Sequence, residues 1–254
     1  MLLELRDVTV RFGGLTALDG VSFGVPQGRV VGVIGPNGAG KTTLFNVVCG
    51  FVRPHAGELR WRGTRLRRHR PHDLPRLGIA RTLQGLGLFP GLSALENVMV
   101  GADRHARTGA LSALAALPRA DRDEAELRAR ARRLLADLDV ADVAGRLPGE
   151  LPYGVQKRVA LARALAAEPE LLLLDEPAAG QSAAEIRDLG TLLARLRAGM
   201  SVVLVEHHMD FVMEVCDEVA VLDFGRLIAH GTPAEVRDDP LVTAAYLGDE
   251  VPSA

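Results

Sequence analysis

The residues best able to do chemistry in this chain begin with Gly35-Pro36-Asn37-Gly38-Ala39-Gly40-Lys41-Thr42. A glycine, four residues, then Gly-Lys-Thr is the spacing of a phosphate-binding loop, or P-loop. The glycines let the backbone fold closely, with N–H groups aimed inward where phosphate oxygens accept them. Lys41 would reach the β- and γ-phosphates of a nucleoside triphosphate, and the Thr42 hydroxyl would ligate Mg²⁺. Two carboxylates, Asp175-Glu176, follow the apolar run Leu171–Leu174. Asp175 fits as a second Mg²⁺ ligand, and Glu176 as a general base or orienter for an attacking water. A second apolar run, Ser201–Val205, ends in Glu206-His207-His208, and either imidazole could face a γ-phosphate. Gln84 is the one polar side chain amid Leu83 to Phe89. It is either a buried amide needing partners or a group reaching a metal or a water.

These groups need a frame. Val30–Ile34 reads as a buried strand entering the loop, and Thr43–Val48 as the start of the helix leaving it, whose N-terminus adds partial positive charge. Leu171–Leu174 and Ser201–Val205 read as further buried strands, and a parallel α/β sheet places ligands at the carboxyl ends of its strands. Upstream, Leu2–Val10 alternates as a strand, Phe12-Gly13-Gly14 turns, and Val21–Val25 forms a second strand. Phe12, taken alone, suits the core better than its alternative, stacking on an adenine. Residues 57–66 read as a hairpin near the surface.

Residues 93–167 change character. Ser93-Ala94-Leu95-Glu96 is a capping box opening a helix. Leu127, Ala131, Leu134, Leu135 and Leu138 keep helical spacing, and Val155–Ala167 forms another helix with Val159, Ala162 and Ala166 on one face. Leu151-Pro152-Tyr153-Gly154 precedes that helix, as an anion site or as a plain turn. Glu185–Leu196 is a helix, Val219–Phe224 and Arg226–His230 a hairpin about Gly225, and helical turns follow at Pro233–Arg237 and Pro240–Leu247. The expected organisation is one domain over 1–248, with a mainly helical subdomain over about 93–167 and a polar tail at 249–254.

A formal net charge of −2 gives no basic field for nucleic acid. Of the 30 basic residues only Lys41 and Lys157 are lysines. The two cysteines, Cys49 and Cys216, lie in apolar helical segments and read as small buried hydrophobes of a reducing compartment. Arg65–Arg70 is a basic cluster, read as a solvated face before phosphate or lipid-headgroup contact. No signal peptide is recognisable, and no apolar run approaches the about 20 residues of a membrane span, so a soluble chain able to dock on a membrane protein is expected.

The order of P-loop, Gln84, helical insertion, Leu151-Pro152-Tyr153-Gly154, Leu174-Asp175-Glu176-Pro177 and His207 resembles an ABC-type ATPase subunit over Leu2 to about Gly248. Arg11-Phe12-Gly13-Gly14-Leu15, Asp175-Glu176-Pro177-Ala178-Ala179-Gly180, Val205-Glu206-His207, Gly231-Thr232-Pro233 and Ala245-Tyr246-Leu247-Gly248 are similar to the ATP-binding subunits of branched-chain amino acid importers. The resemblance implies an α/β P-loop NTPase fold of ABC type, with a mainly helical subdomain and an N-terminal antiparallel β part. It implies two subunits pairing head to tail around two ATP molecules with Mg²⁺. Each site would join Gly35 to Thr43 of one chain to Pro152, Tyr153 and Gly154 of the other. Phe12 would stack on adenine, and Gln84 would sense Mg²⁺ and water and couple to the membrane partner. Glu176 would activate the water, and His207 would contact the γ-phosphate.

The partners implied are transmembrane permease subunits, a second ATPase subunit (a heterodimer before a homodimer) and, indirectly, a substrate-binding protein, with the chain peripheral on the cytoplasmic face of the membrane. The helical insertion would hold the docking groove for a permease helix. Three departures stand out. Pro152, Tyr153 and Val155 replace the serine, a glycine and the glutamine of the family's Leu-Ser-Gly-Gly-Gln signature. Gln181-Ser182 stands where leucine followed by Asp or Asn is usual, and His208 where Asp is usual. Other readings are an ABC motor for another cargo, such as lipid or lipopolysaccharide export, urea or amides, and a soluble ABC ATPase of translation or DNA repair. One cassette without heptads, repeat or basic stripe argues against the last.

Overall fold

The computed structural model describes residues 1–82, 86–102 and 118–248. From the amino terminus, β1 (Leu3–Phe12), β2 (Leu15–Val25) and β3 (Val30–Ile34) precede helix α1 (Lys41–Val48). Strands β4 (Ala56–Trp61) and β5 (Thr64–Leu66), the short α2 (Leu74–Leu77) and β6 (Ile79–Arg81) lead to α3 (Ala94–Gly101), α4 (Pro118–Asp137) and α5 (Tyr153–Ala166). Then come β7 (Leu171–Asp175), α6 (Ala183–Leu196), β8 (Ser201–Val205), α7 (Met209–Val215), β9 (Glu218–Asp223), β10 (Arg226–Gly231), α8 (Pro233–Arg237) and α9 (Pro240–Gly248). Two compact units result: Met1–Leu74 with Leu173–Ala254, and Pro75–Leu172.

The first unit holds an antiparallel sheet in the order β2-β1-β4-β5. Leu3, Leu5, Val8 and Val10 of β1 are buried, as their alternation predicts. β2 spans Leu15–Val25, where Val21–Val25 alone was expected. Gly20 interrupts the apolar pattern, but the irregular register between Val8 and Val10 absorbs it, and Thr9 Oγ1 accepts the Gly20 N–H at 3.1 Å. A bulge of this kind carries the pairing past a residue that looks like a breaker.

The same unit contains most of a second sheet, in the order β10-β9-β3-β8-β7. β3 pairs in parallel with both β8 and β9, and β9 turns back antiparallel into β10. β3, β7 and β8 are buried at every position. That is why their sequences read as continuous apolar runs rather than alternating ones. Asp217 anchors the start of β3: its carboxylate accepts the Val30 N–H at 2.8 Å and pairs with the guanidinium groups of Arg29 at 3.0 Å and Arg197 at 3.3 Å. Cys49 and Cys216 are buried thiols outside any disulfide, and burial, with Asp217 and Glu206 adding to it, pushes the Cys216 thiol well above its usual range.

In the second unit, α3, α4 and α5 pack on one another. Ala131, Leu135 and Leu138 of the predicted stripe are buried, and Val159, Ala162 and Ala166 are fully so. Ser93 caps α3 with Glu96 completing the box. Gly101 lets α3 approach α5: a Cβ there would fall on the Arg163 carbonyl oxygen. The buried Asn97 ties the preceding loop to α3, its amide donating to the carbonyls of Phe89 (3.1 Å), Leu92 (2.9 Å) and Ser93 (3.0 Å) and accepting the Phe89 N–H (2.8 Å). β6 lies beside the start of β7, where the Gly78 carbonyl accepts the N–H groups of Glu170 and Leu171.

Candidate functional site

The P-loop leaves β3 at Gly35, whose φ is 146° and whose Cβ, were there one, would fall on the Leu222 carbonyl oxygen. Only glycine fits both conditions. Helix α1 starts at Lys41 with Gly40 as its N-cap and no side-chain cap. The first-turn N–H groups of such a helix have no partner within it and point back over the loop. Lys41 lies across the same loop, its ammonium donating to the carbonyls of Gly35 (2.6 Å) and Pro36 (2.8 Å). Pro36, Asn37, Gly38 and Ala39 form the turn between, closed by the Ala39 N–H on the Pro36 carbonyl at 3.2 Å. Thr42 and Thr43 occupy the first turn of α1.

Two neighbouring strands bring their ends to this edge. The Glu206 N–H, just past β8, meets the Val33 carbonyl at 3.4 Å, and the Glu176 N–H, just past β7, meets the Val205 carbonyl at 2.9 Å. The carboxyl ends of β3, β8 and β7 are thereby laced side by side. Lys41 and Thr42, Asp175 and Glu176, and His207 therefore all stand on one edge of one sheet. Glu176 holds φ at 47°, a left-handed conformation rare for a residue with a side chain.

Asp175 is 8% exposed at the end of β7. With the Thr42 hydroxyl it offers hard oxygen donors, the set that suits Mg²⁺. A different cluster, Glu206, His207 and His208, has its ligand atoms within 4.8 Å of one another. There the Glu206 oxygens already accept backbone N–H groups of Ala178, His207 and His208, so they do not point to a metal. The His207 and His208 rings lie 4.6 Å apart, and the His207 side chain is 57% exposed at the strand-end edge. His208 is the N-cap of α7, with Nδ1 3.3 Å from Glu206.

Phe12 is 51% exposed at the end of β1, paired with Leu15 across the turn. This corrects the expectation, from the residue alone, that it belongs to the core: the ring beside the two-glycine turn is half exposed. The same hairpin reaches the P-loop, since a Cβ on Gly40 would come within 2.5 Å of the Ala17 carbonyl oxygen. Gln181 donates to the Pro177 carbonyl at 3.0 Å, and Ser182 caps α6 with Glu185. The unusual Gln181-Ser182 pair is thus a turn and a helix start.

In the second unit Pro152 is the N-cap of α5, and the helix begins at Tyr153, ahead of the expected Val155. The first turn needs no intrahelical donor, so proline before it and glycine within it are tolerated, and the helix takes in part of the stretch expected to precede it. Tyr153 is 48% exposed, with the Lys157 ammonium 5.3 Å from its ring centre. Gln84 lies outside the described residues. The chain just beyond it is held by Arg163, whose guanidinium donates to the carbonyls of Leu86 (3.0 Å) and Gly87 (2.5 Å). Among the described residues no helix is long and apolar enough to cross a membrane.

Comparison with known proteins adds the family. The model described as ABC transporter matches residues 18–179, and that of the branched-chain amino acid ATP-binding cassette transporter matches residues 226–252. The high-affinity branched-chain amino acid transport ATP-binding protein BraF of Pseudomonas aeruginosa is 41% identical over 250 residues, covering 98% of each chain. The ADP conformation of MJ1267, an ATP-binding cassette of an ABC transporter, superposes with a TM-score of 0.83 at 32% identity, over 97% of this chain and 98% of that one. The dimeric post-hydrolysis structure of the cassette MJ0796, bound to ADP and Pi, gives 0.77 at 26% identity, over 91% and 98%.

Proposed function

Because the chain belongs to the ABC transporter family, whose cassettes bind and hydrolyse ATP, we propose that it is the motor subunit of an importer for branched-chain amino acids. The observation that carries this reading is the lacing of three strand ends at the edge where the P-loop begins. It supports a division of labour. The loop N–H groups, the α1 N-terminus and Lys41 hold the phosphates. Thr42 and Asp175 hold Mg²⁺, which neutralises charge building on the phosphates, and Gln84 takes part in sensing it. Glu176 accepts a proton from the attacking water, and His207 steadies the γ-phosphate. Phe12 carries the adenine.

The half-exposed Pro152–Gly154 turn at the start of α5 serves a second cassette in trans, with its backbone N–H groups and helix dipole replacing the missing signature serine. ATP binding closes the pair, and hydrolysis reopens it. That motion is passed to separate permease chains, which hold this chain on the cytoplasmic face of the membrane and receive cargo from a substrate-binding protein. The second cassette is a sister ATPase. The C-terminal match over residues 226–252 and the relationship to BraF support the cargo class.

The test is co-purification from native membranes in mild detergent, with companions identified by mass. Two multi-span permease subunits and a second ATPase are expected, with ATP turnover stimulated by branched-chain amino acids and their binding protein. Recovery with export-type membrane proteins would replace the cargo assignment, and recovery with ribosomes or DNA alone would end the transporter reading.

A further inference from the structure

We infer that Glu206, to which the sequence analysis assigned no role of its own, is the positioning residue that fixes Glu176 and His207 relative to each other. The side chain is fully buried. One carboxylate oxygen accepts the Ala178 N–H at 2.6 Å. The other accepts the N–H groups of His207 at 3.0 Å and His208 at 3.4 Å. Ala178 lies two residues beyond Glu176 on the loop that leaves β7, and His207 is the next residue along the loop that leaves β8. One side chain therefore clasps both loops from between, one oxygen to each.

The chemistry of the clasp is specific. An ionised carboxylate only accepts hydrogen bonds, and all three backbone groups facing it only donate. A buried carboxylate is costly unless its oxygens are satisfied, and here each meets at least one backbone donor. An amide of the same shape satisfies only one side: its NH₂ group would face either the Ala178 N–H or the two histidine N–H groups, donor against donor. The backbone bond from Glu176 to Val205 sets the height of the β7 loop on the sheet, and the Ala179 N–H closes the turn on the Glu176 carbonyl at 3.2 Å. Glu206 ties that turn to the β8 loop at a second point, the Ala178 N–H. Hydrolysis needs the base and the γ-phosphate contact placed together, and a misplacement near 1 Å can cost about 100-fold in rate.

This inference rests on the proposed roles of Glu176 and His207, and the experiment separates the two. E206Q, E206D, E176Q, H207A and the E206Q/H207A pair are made in the full chain within its native complex, and kcat, KM, ATP affinity and thermal midpoint are measured. For E206Q, kcat is expected to fall about 10- to 100-fold, with KM and ATP affinity within about twofold. In the H207A background E206Q should cost far less than it does alone, because its effect runs partly through that loop. E206D, one methylene shorter, reaches only one loop and should show the same split, which covers the case in which E206Q does not fold.

Wild-type kcat in E206Q or E206D overturns the inference. So does a parallel loss of ATP affinity, full additivity with H207A, or failure of both Glu206 variants to fold, which would make the role structural. If E176Q turns over ATP at the normal rate, the base assignment itself has failed. If E176Q is inactive and E206Q normal, only the clasp has.

Discussion

Glu176 donates its backbone N–H to the Val205 carbonyl at 2.9 Å while holding φ at 47°. A left-handed conformation at a residue with a side chain costs energy and persists where the surroundings over-determine it. Here the strand-end bond before Pro177 and the Glu206 bond to Ala178 after it do so. The conformation fixes where the Glu176 side chain leaves the backbone, at the edge shared with the P-loop.

Replacing that carboxylate tests its chemistry without changing its shape. E176Q should lower ATP turnover by about 100- to 10,000-fold, the usual contribution of a general base, while ATP still binds. Turnover assays read the first effect. Size-exclusion chromatography with light scattering, run with ATP, should show a trapped pair of cassettes absent with ADP.

Lys41 should act on binding rather than on the chemical step alone. K41A removes a charge-assisted donor to phosphate worth about 1.5–3 kcal/mol, so ATP affinity should weaken roughly 10- to 100-fold. Titration with a fluorescent nucleotide measures this, and an unchanged affinity would remove Lys41 from the site.

Phe12 separates stacking from packing. Its ring is half exposed, so F12A should leave the thermal midpoint nearly unchanged. The nucleotide should bind about 10- to 100-fold more weakly, reflecting about 1–3 kcal/mol of base stacking. F12W keeps a stacking face and should restore affinity, and its indole emission should change on adding ATP.

Ser182 tests whether a departure from the family pattern is structural. S182A removes the cap of α6 and should cost about 1 kcal/mol, lowering the thermal midpoint by about 2–4 °C. ATP turnover at saturating nucleotide should not move.

Gly101 does the same for the second unit. G101A places a methyl group against the Arg163 backbone where α3 meets α5. Overpacking of this kind costs about 1–3 kcal/mol. Thermal denaturation should show the loss, and ATP affinity should not change.

What could be read in the sequence was whatever local chemistry decides. The P-loop, the Ser93 capping box and the buried strands ending at Asp175 and Val205 are set by neighbouring residues and by continuous apolar runs, and each stands where the sequence placed it. The misjudged features depend on partners far along the chain. β2 continues past Gly20 because Thr9, 11 residues away, accepts its N–H. Phe12 looked like core because an isolated aromatic gives no sign of the open turn beside it. Glu206 was named beside His207 but given no role, because its partner Ala178 is 28 residues away, on another strand end. A carboxylate wedged between two histidine-bearing and acid-bearing loops has no signature in sequence spacing.

Lys41 and Lys157, the only lysines among 30 basic residues, carry a practical consequence. One lies in the P-loop against the carbonyls of Gly35 and Pro36, and the other lies over the Tyr153 ring in the first turns of α5. Apart from the chain's amino terminus, an acylating reagent therefore meets one amine in each of the two regions that the nucleotide is proposed to bridge. The extent of acylation at each, read in a single mass spectrum with and without ATP, reports loop occupancy and cassette pairing at once, with no label introduced into the chain.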